Sequence, residues 1–152
     1  LYPAVSNWSA WQTQRAVDIQ ERNNWARLQV IQPMYNLVKR QAEVEILPMA
    51  EANGIGVIPY SPAAAGLLSG KYFGQASGRL RTNKMYEARY GEAWTFEVAE
   101  NYVAFCKQQG LHPVSTAIAL STQNPIASGS PLPCPASTRI CRPLVSLMVT
   151  RA

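Results

Sequence analysis

The stretch GIGVIPYSPAAAGLLSGKY, residues 54–72, decides how this chain is read. A short apolar run, Ile55-Gly56-Val57-Ile58, stops at Tyr60-Ser61-Pro62. The run is too short for a helix and ends in turn residues, so it reads as a buried strand. The next residues, Ala63 to Lys71, read as a loop of small side chains. Small side chains let backbone N–H groups approach a ligand closely, which makes the loop a candidate phosphate cradle. It is not a P-loop. Gly66-Leu67-Leu68-Ser69-Gly70-Lys71-Tyr72 has three residues between its glycines instead of four, and Tyr where that motif has Ser or Thr.

Working outward, two similar runs precede this one, Tyr2–Val5 and Leu28–Ile31, with starts about 26 residues apart. Each gap has room for one helix, and such alternation predicts right-handed βαβ units with a parallel sheet. Ser9-Ala10-Trp11-Gln12 fits a capping box and starts the first helix, which should fray near Asn23-Asn24. The second helix is expected over about Gln41 to Ala52, limited by Pro48 and capped by Asn53-Gly54. A third carries Phe96, Ala99, Val103 and Cys106 at helical spacing and stops at Gly110. His112-Pro113 opens a last helix running to about Ser121. The segment from Leu67 to Glu92 reads as a long loop, a length that usually signals a lid or a binding loop. After Asn124 the texture changes: five prolines fall within 22 residues and no period survives.

Composition narrows the function classes. A chain of 152 residues with 47% hydrophobic content suits one globular domain. No run of about 18 apolar residues offers a membrane span. The net charge of +5 comes from fourteen scattered Lys and Arg residues, without the cluster that a nucleic-acid footprint needs. Cys106, Cys134 and Cys141 lack C-x-x-C spacing and read as free thiols in a reducing cytoplasm. His112 is the single histidine, so a zinc site is not expected, and beside Pro113 it reads as a helix cap. Glu43 and Glu45, two apart, point away from each other on a helix and read as solvated. The start at Leu1 suggests a fragment or a processed product.

Parallel α/β folds bind ligands at the carboxyl ends of their strands, where loops and helix N-termini converge. The first strand ends in Ser6-Asn7, the second in Gln32-Pro33 and then Tyr35-Asn36, and the third in Tyr60-Ser61-Pro62. Amides and hydroxyls with one aromatic suit a flat, uncharged, hydrogen-bonding ligand head. Taken singly, Asn7 also fits a helix cap, Gln32 a partner for a loop carbonyl, and Tyr60 a core residue. It is the coincidence at three strand ends that points to a site.

The segments VSNWSAWQ, RLQVIQPMYNLVKRQAEVEILPMAEANGIGVIPYSP, GLLSGKY, NKMYEARYG and HPVS occur in order. Together they resemble the aldo-keto reductases, especially their long-chain bacterial branch, over about residues 1–120. The resemblance implies a (β/α)8 barrel that uses NADPH to reduce aldehydes and ketones. By position, Ser6, Asn7 and Gln32 match the family residues that bond the nicotinamide carboxamide, and Tyr60 matches the aromatic that stacks on the ring. Ser61, Pro62, Ala63, Gly66, Leu67, Gly70 and Lys71 match the strap over the pyrophosphate. Ala63 and Ala65 stand where the family more often has Leu and Gly. The smaller Ala63 straps less tightly, and Ala65 costs backbone freedom if its φ is positive.

Two departures shape the expected function. The family's catalytic Tyr, with its Asp, Lys and His, belongs to the first four βα units, whereas this chain matches from the fifth strand. No catalytic residue is therefore assigned, and the chain alone is expected to be inactive. Beyond Leu120 the eighth strand and its Gly-Ala-Arg-like turn leave only an echo, Ser130-Pro131-Leu132 and Ala136-Ser137-Thr138. Residues 121–152 are expected to be a divergent tail, frame-shifted or disordered; an uninterrupted frame in the source DNA across codons 118–125 would rule out the shift.

The fold expected is thus α/β: a partial (β/α)8 barrel of about the last four βα units, with parallel strands in sequential order. Length agrees, since a full barrel takes about 250 residues. Open strand edges and an exposed inner face predict self-association. The expected ligand is NADP(H), with a carbonyl substrate in the full-length parent, and neither nucleic acid, membrane nor metal as partner. Two rivals differ in class: a potassium-channel β-type regulatory subunit using the same nucleotide, and a complete flavodoxin-sized domain. The last requires a central switch in strand order.

Overall fold

The computed structural model describes residues 1–74 and 77–122. Three strands, β1 (Ala4–Ser6), β2 (Val30–Gln32) and β3 (Gly56–Val57), form one parallel sheet in the order β1-β2-β3. Sequential order of parallel neighbours is what a partial barrel requires, and no reversal of strand order, the mark of the doubly wound rival, occurs among the described residues. The register pairs Ala4 with Val30 and Val30 with Gly56, then Ser6 with Gln32. Backbone pairing continues past the strands, with the Tyr60 N–H donating to the Pro33 carbonyl at 3.0 Å.

The first two strands begin two residues later than the apolar runs suggest. Apolarity marks burial, whereas the ladder is made by backbone groups. Leu28 and Ile55 are core residues outside the ladder, while polar Ser6 and Gln32 close it.

Helix α1 (Ala10–Arg22) starts on the expected box: Ser9 Oγ accepts from the Gln12 N–H, and Gln12 Oε1 accepts from the Ser9 N–H at 3.0 Å. The second helix is broken. A 3₁₀ turn covers Gln41–Glu43, and α2 runs only from Ile46 to Ala52. Pro48 cannot donate to the Val44 carbonyl and its ring crowds that group, so it is accommodated in the first turn of a new helix. Asn53 and Gly54 cap α2 as expected. Gly54, at φ +62, donates to Glu51 O, and the Ile55 N–H donates to Ala50 O at 2.8 Å.

The segment read as a long loop holds structure of its own: a 3₁₀ turn at Ala64–Ser69, then α3 (Arg79–Thr82) and α4 (Lys84–Tyr90). Asn83 caps α4, its side chain accepting from the Met85 N–H at 2.9 Å. Helix α5 (Ala93–Gln108) lies where its periodicity places it, and α6 (Pro113–Thr122) opens at Pro113 as the His112-Pro113 start signal predicts. His112 caps α6, its Nδ1 accepting from the Ser115 N–H at 3.3 Å. The echo of an eighth strand and the tail from residue 123 onward lie outside the described residues.

Two apolar cores result. Strand alternation sends Val5, Ile31 and Val57 to one sheet face, where they pack with Val17, Leu28, Leu47 and Ala50. A second core gathers Ala64, Leu67, Leu68, Tyr72, Leu80 and Tyr90 with residues of α5 and α6. The opposite sheet face carries Ala4, Ser6 and Gln32, all exposed, and Ile58 at 55% exposure. Parallel sheets are normally covered on both faces, so this open face is a distinctive property of the described chain.

Candidate functional site

The carboxyl ends of the three strands bring four of the expected residues onto one rim. Ser6 and Gln32 are the closing residues of β1 and β2 and lie side by side in the register. The Ser6 hydroxyl donates to the Gln32 carbonyl oxygen at 3.0 Å and stands 3.4 Å from Gln32 Oε1. The Asn7 N–H donates to that same carbonyl at 3.3 Å. From beyond β3, the Tyr60 hydroxyl donates to Asn7 Oδ1 at 2.8 Å. Asn7 Nδ2 in turn reaches Ser6 Oγ at 3.4 Å.

The simpler structural uses of these side chains are not the ones adopted. Ser9, not Asn7, caps α1. Gln32 is exposed, with its amide at the rim, and Tyr60 is half-buried at the surface rather than in either core. Asn7 holds φ +59, a left-handed conformation that Asn tolerates better than most residues. The rim is uncharged, and its hydroxyls and amides both donate and accept.

The loop after Tyr60 turns left-handed repeatedly. Ser61 (φ +58), Ala64 (+50), Ala65 (+57) and Gly66 (+92) all have positive φ. Position 65 therefore does need the conformation that Ala adopts only at a cost, while Ala63 keeps an ordinary φ of −92. Ala64, Leu67 and Leu68 are completely buried and fasten the loop to the second core. The Ser69 hydroxyl donates to the Gly66 carbonyl at 2.7 Å, and Gly70 closes the turn at φ +82. Lys71 folds back over this turn, so that a Cβ at Gly66 would meet its Cε at 2.7 Å and its Nζ at 3.0 Å. Its ammonium also lies 4.9 Å from the Tyr72 ring centroid. A cation above a run of small left-handed residues is a fitting environment for an anion.

Sequence reading placed Asn36 at a strand end but missed the partner with which it supports this loop. Asn36 is buried, donating to the Ser61 carbonyl at 2.9 Å and to the Tyr90 hydroxyl at 3.1 Å. Burial pushes the Tyr90 phenol above its ordinary value, and hydrogen bonds with Asn36 and Ser61 offset part of that rise. Asn36 is visible in the sequence as a polar strand-end residue, but no local signal marks Tyr90 as its partner. Glu43 departs from the solvated reading: it accepts from the Tyr35 hydroxyl at 2.7 Å and pairs with Arg40 at 2.7 Å. Burial raises its carboxyl, but the bonds from Arg40 and Tyr35 outweigh that and leave it below the ordinary value.

A shallow concavity of about 450 Å³ lined by Lys84, Glu87, Ala88, Gly91 and Glu92 shares no residue with the rim. Among the described residues no helix is long and apolar enough to cross a membrane, and no group of three or more His, Cys, Asp or Glu side chains is placed to hold a metal ion.

The sequence model of the Aldo/keto reductase family matches residues 1–140. An uncharacterized oxidoreductase, YrpG of Bacillus subtilis, is 34% identical over 125 residues, covering 82% of this chain and 37% of that protein. Protein tas of Escherichia coli is 27% identical over 131 residues, covering 85% of this chain and 38% of its own length. Human aldo-keto reductase family 7 member A3 is 34% identical over 102 residues, covering 61% of this chain and 31% of that protein. The chain thus spans between 31% and 38% of the length of these relatives.

Proposed function

The chain belongs to the aldo/keto reductase family, and from that premise we propose that it carries the nicotinamide- and pyrophosphate-binding part of an NADP(H)-dependent carbonyl reductase. The observation that supports this most is the bonded set of Ser6, Asn7, Gln32 and Tyr60 across three consecutive strand ends. In this reading Ser6, Asn7 and Gln32 hold the carboxamide, whose N–H₂ and C=O need both an acceptor and a donor. Tyr60 would lie against one face of the ring. Ser61, Pro62, Ala63, Gly66, Leu67 and Gly70 form the strap over the pyrophosphate, and Lys71 supplies the countercharge. When bound, such a nucleotide would supply the hydride for carbonyl reduction. Binding and orientation are this chain's contribution.

Protonating the carbonyl oxygen as hydride arrives requires a positioned acid, and no residue of this chain is assigned that role. We propose that the acid and the substrate pocket come from a preceding half of the same barrel, seated on the open face of Ser6, Gln32 and Ile58. The isolated chain should then self-associate through that face as its concentration rises, which sedimentation velocity reads. A regulatory role of the potassium-channel β type draws no support from relatives named as an oxidoreductase and an aldo-keto reductase.

The test is a fluorescence titration of the 152-residue chain with NADPH, alongside nicotinamide absorbance with a panel of aldehydes. Saturable binding without turnover is expected. Absence of saturable binding defeats the nucleotide reading, and turnover above the blank defeats the claim that the acid lies elsewhere.

A further inference from the structure

The strap between Ser61 and Gly66 adopts a backbone that L side chains disfavour at three positions, Ser61, Ala64 and Ala65. Such a segment persists only where its surroundings hold it, and here two of its carbonyls are gripped from the side of the second core. The Ser61 carbonyl accepts from Asn36 Nδ2 at 2.9 Å and from the Ala64 N–H at 2.9 Å. Asn36, only 2% exposed, is fully engaged: its Oδ1 accepts from the Val38 N–H at 3.1 Å, and its Nδ2 also donates to the Tyr90 hydroxyl at 3.1 Å. Tyr90 is completely buried at the end of α4, and its carbonyl accepts from Thr95 Oγ1 at 2.7 Å. At the other end of the strap, the Ala65 carbonyl accepts from the Tyr72 hydroxyl at 3.3 Å. That hydroxyl accepts from the Leu80 N–H at 3.2 Å, inside α3. The fit there is close, since a Cβ at Gly78 would stand 2.6 Å from Tyr72 Oη.

We propose that Asn36 and Tyr90 are positioning residues that set the strap through the Ser61 carbonyl, so that the α3–α4 segment and the nucleotide strap move as one body. Tyr72 makes the matching connection from α3 to Ala65. The functional consequence rests on the nucleotide reading of the site; the mechanical coupling does not. In a chain built this way, removing one buried hydroxyl outside the rim's own bonded set loosens the strap without loosening the sheet. An Asn is suited to the task because its two amide hydrogens serve two acceptors while its oxygen stays fixed on Val38.

The experiment is amide hydrogen exchange on the full chain, comparing wild type with Tyr90→Phe and Asn36→Asp. The phenylalanine variant keeps the buried ring and loses only the hydroxyl. Exchange over residues 61–66 should accelerate about tenfold, with α1 unchanged. The NADPH dissociation constant should rise about fivefold, with the saturation signal retained. Acceleration of equal size in α1 and the strap would reduce both residues to general stabilisers and overturn the proposal, as would an unchanged strap. If the Asp variant fails to fold, the Phe variant decides alone. If wild type binds no NADPH, the nucleotide reading falls, while the exchange comparison still decides the coupling.

Discussion

The Tyr60 hydroxyl donates to Asn7 Oδ1 at 2.8 Å, joining the end of the third strand to the end of the first across the mouth of the second. The two residues are 53 positions apart, so only the parallel, sequential sheet brings them together. The bond also fixes the amide of Asn7. Its oxygen is taken by the tyrosine, and its Nδ2 is turned toward Ser6.

Removing that hydroxyl should therefore disturb binding before it disturbs folding. Tyr60→Phe is expected to weaken NADPH binding about fivefold, the cost of one hydrogen bond. Tyr60→Ala, which also deletes the ring, should cost roughly a further tenfold. A fluorescence titration measures both, and wild-type affinity in the Phe variant would show that the hydroxyl does not order the rim.

Ala65 carries a φ of +57 that glycine adopts without penalty. Ala65→Gly should stabilise the chain by about 1 kcal/mol, raising its urea midpoint. Ala65→Val should lower the midpoint, because β-branching worsens the same conformation. Equal midpoints for all three chains would contradict a left-handed position 65.

The capping box makes the third prediction. Ser9→Ala removes the acceptor for the Gln12 N–H and leaves the first turn of α1 short of a partner. The expected cost is about 1 kcal/mol in urea denaturation. Gln12→Ala should cost less, since it spares the serine contact.

These cases show which parts of the molecule are written locally. The Ser9-to-Gln12 box and the Asn53-Gly54 cap act over a few residues, and both are legible from residue type and spacing. The parallel order is legible as well, because each gap between apolar runs is long enough for one crossover helix. Strand limits are less so, since Ser6 and Gln32 pair through backbone groups that side-chain polarity does not report. Pro48 signals the break at Val44-Glu45, but its effect falls on the residues before it rather than after. Helices α3 and α4 leave no periodic trace because each is shorter than two full turns, and periodicity needs length to show. The Asn36–Tyr90 contact spans 54 residues and depends on how α4 packs, so nothing near either residue announces it.

Acid should weaken the chain in part through Glu43. Its carboxyl sits below the ordinary value of 4.5 when folded, so on acidification the unfolded chain takes up the proton first. The stabilisation is complete above that ordinary value and is lost as pH falls through the folded one. Urea midpoints measured from neutral down to about pH 3 should drop less steeply in Glu43→Gln than in wild type. Parallel curves would remove Glu43 from the acid response.

The proposed function requires that Ser6, Asn7, Gln32 and Tyr60 form one nicotinamide-binding rim beside the strap. Amide chemical-shift mapping of the 152-residue chain during an NADPH titration addresses it directly. A nicotinamide-binding rim of these residues requires saturable shifts that appear together at residues 6, 7, 32 and 60 and along 61–71. Shifts centred instead on the Lys84–Glu92 concavity, or none at the rim when binding is saturated, would contradict it.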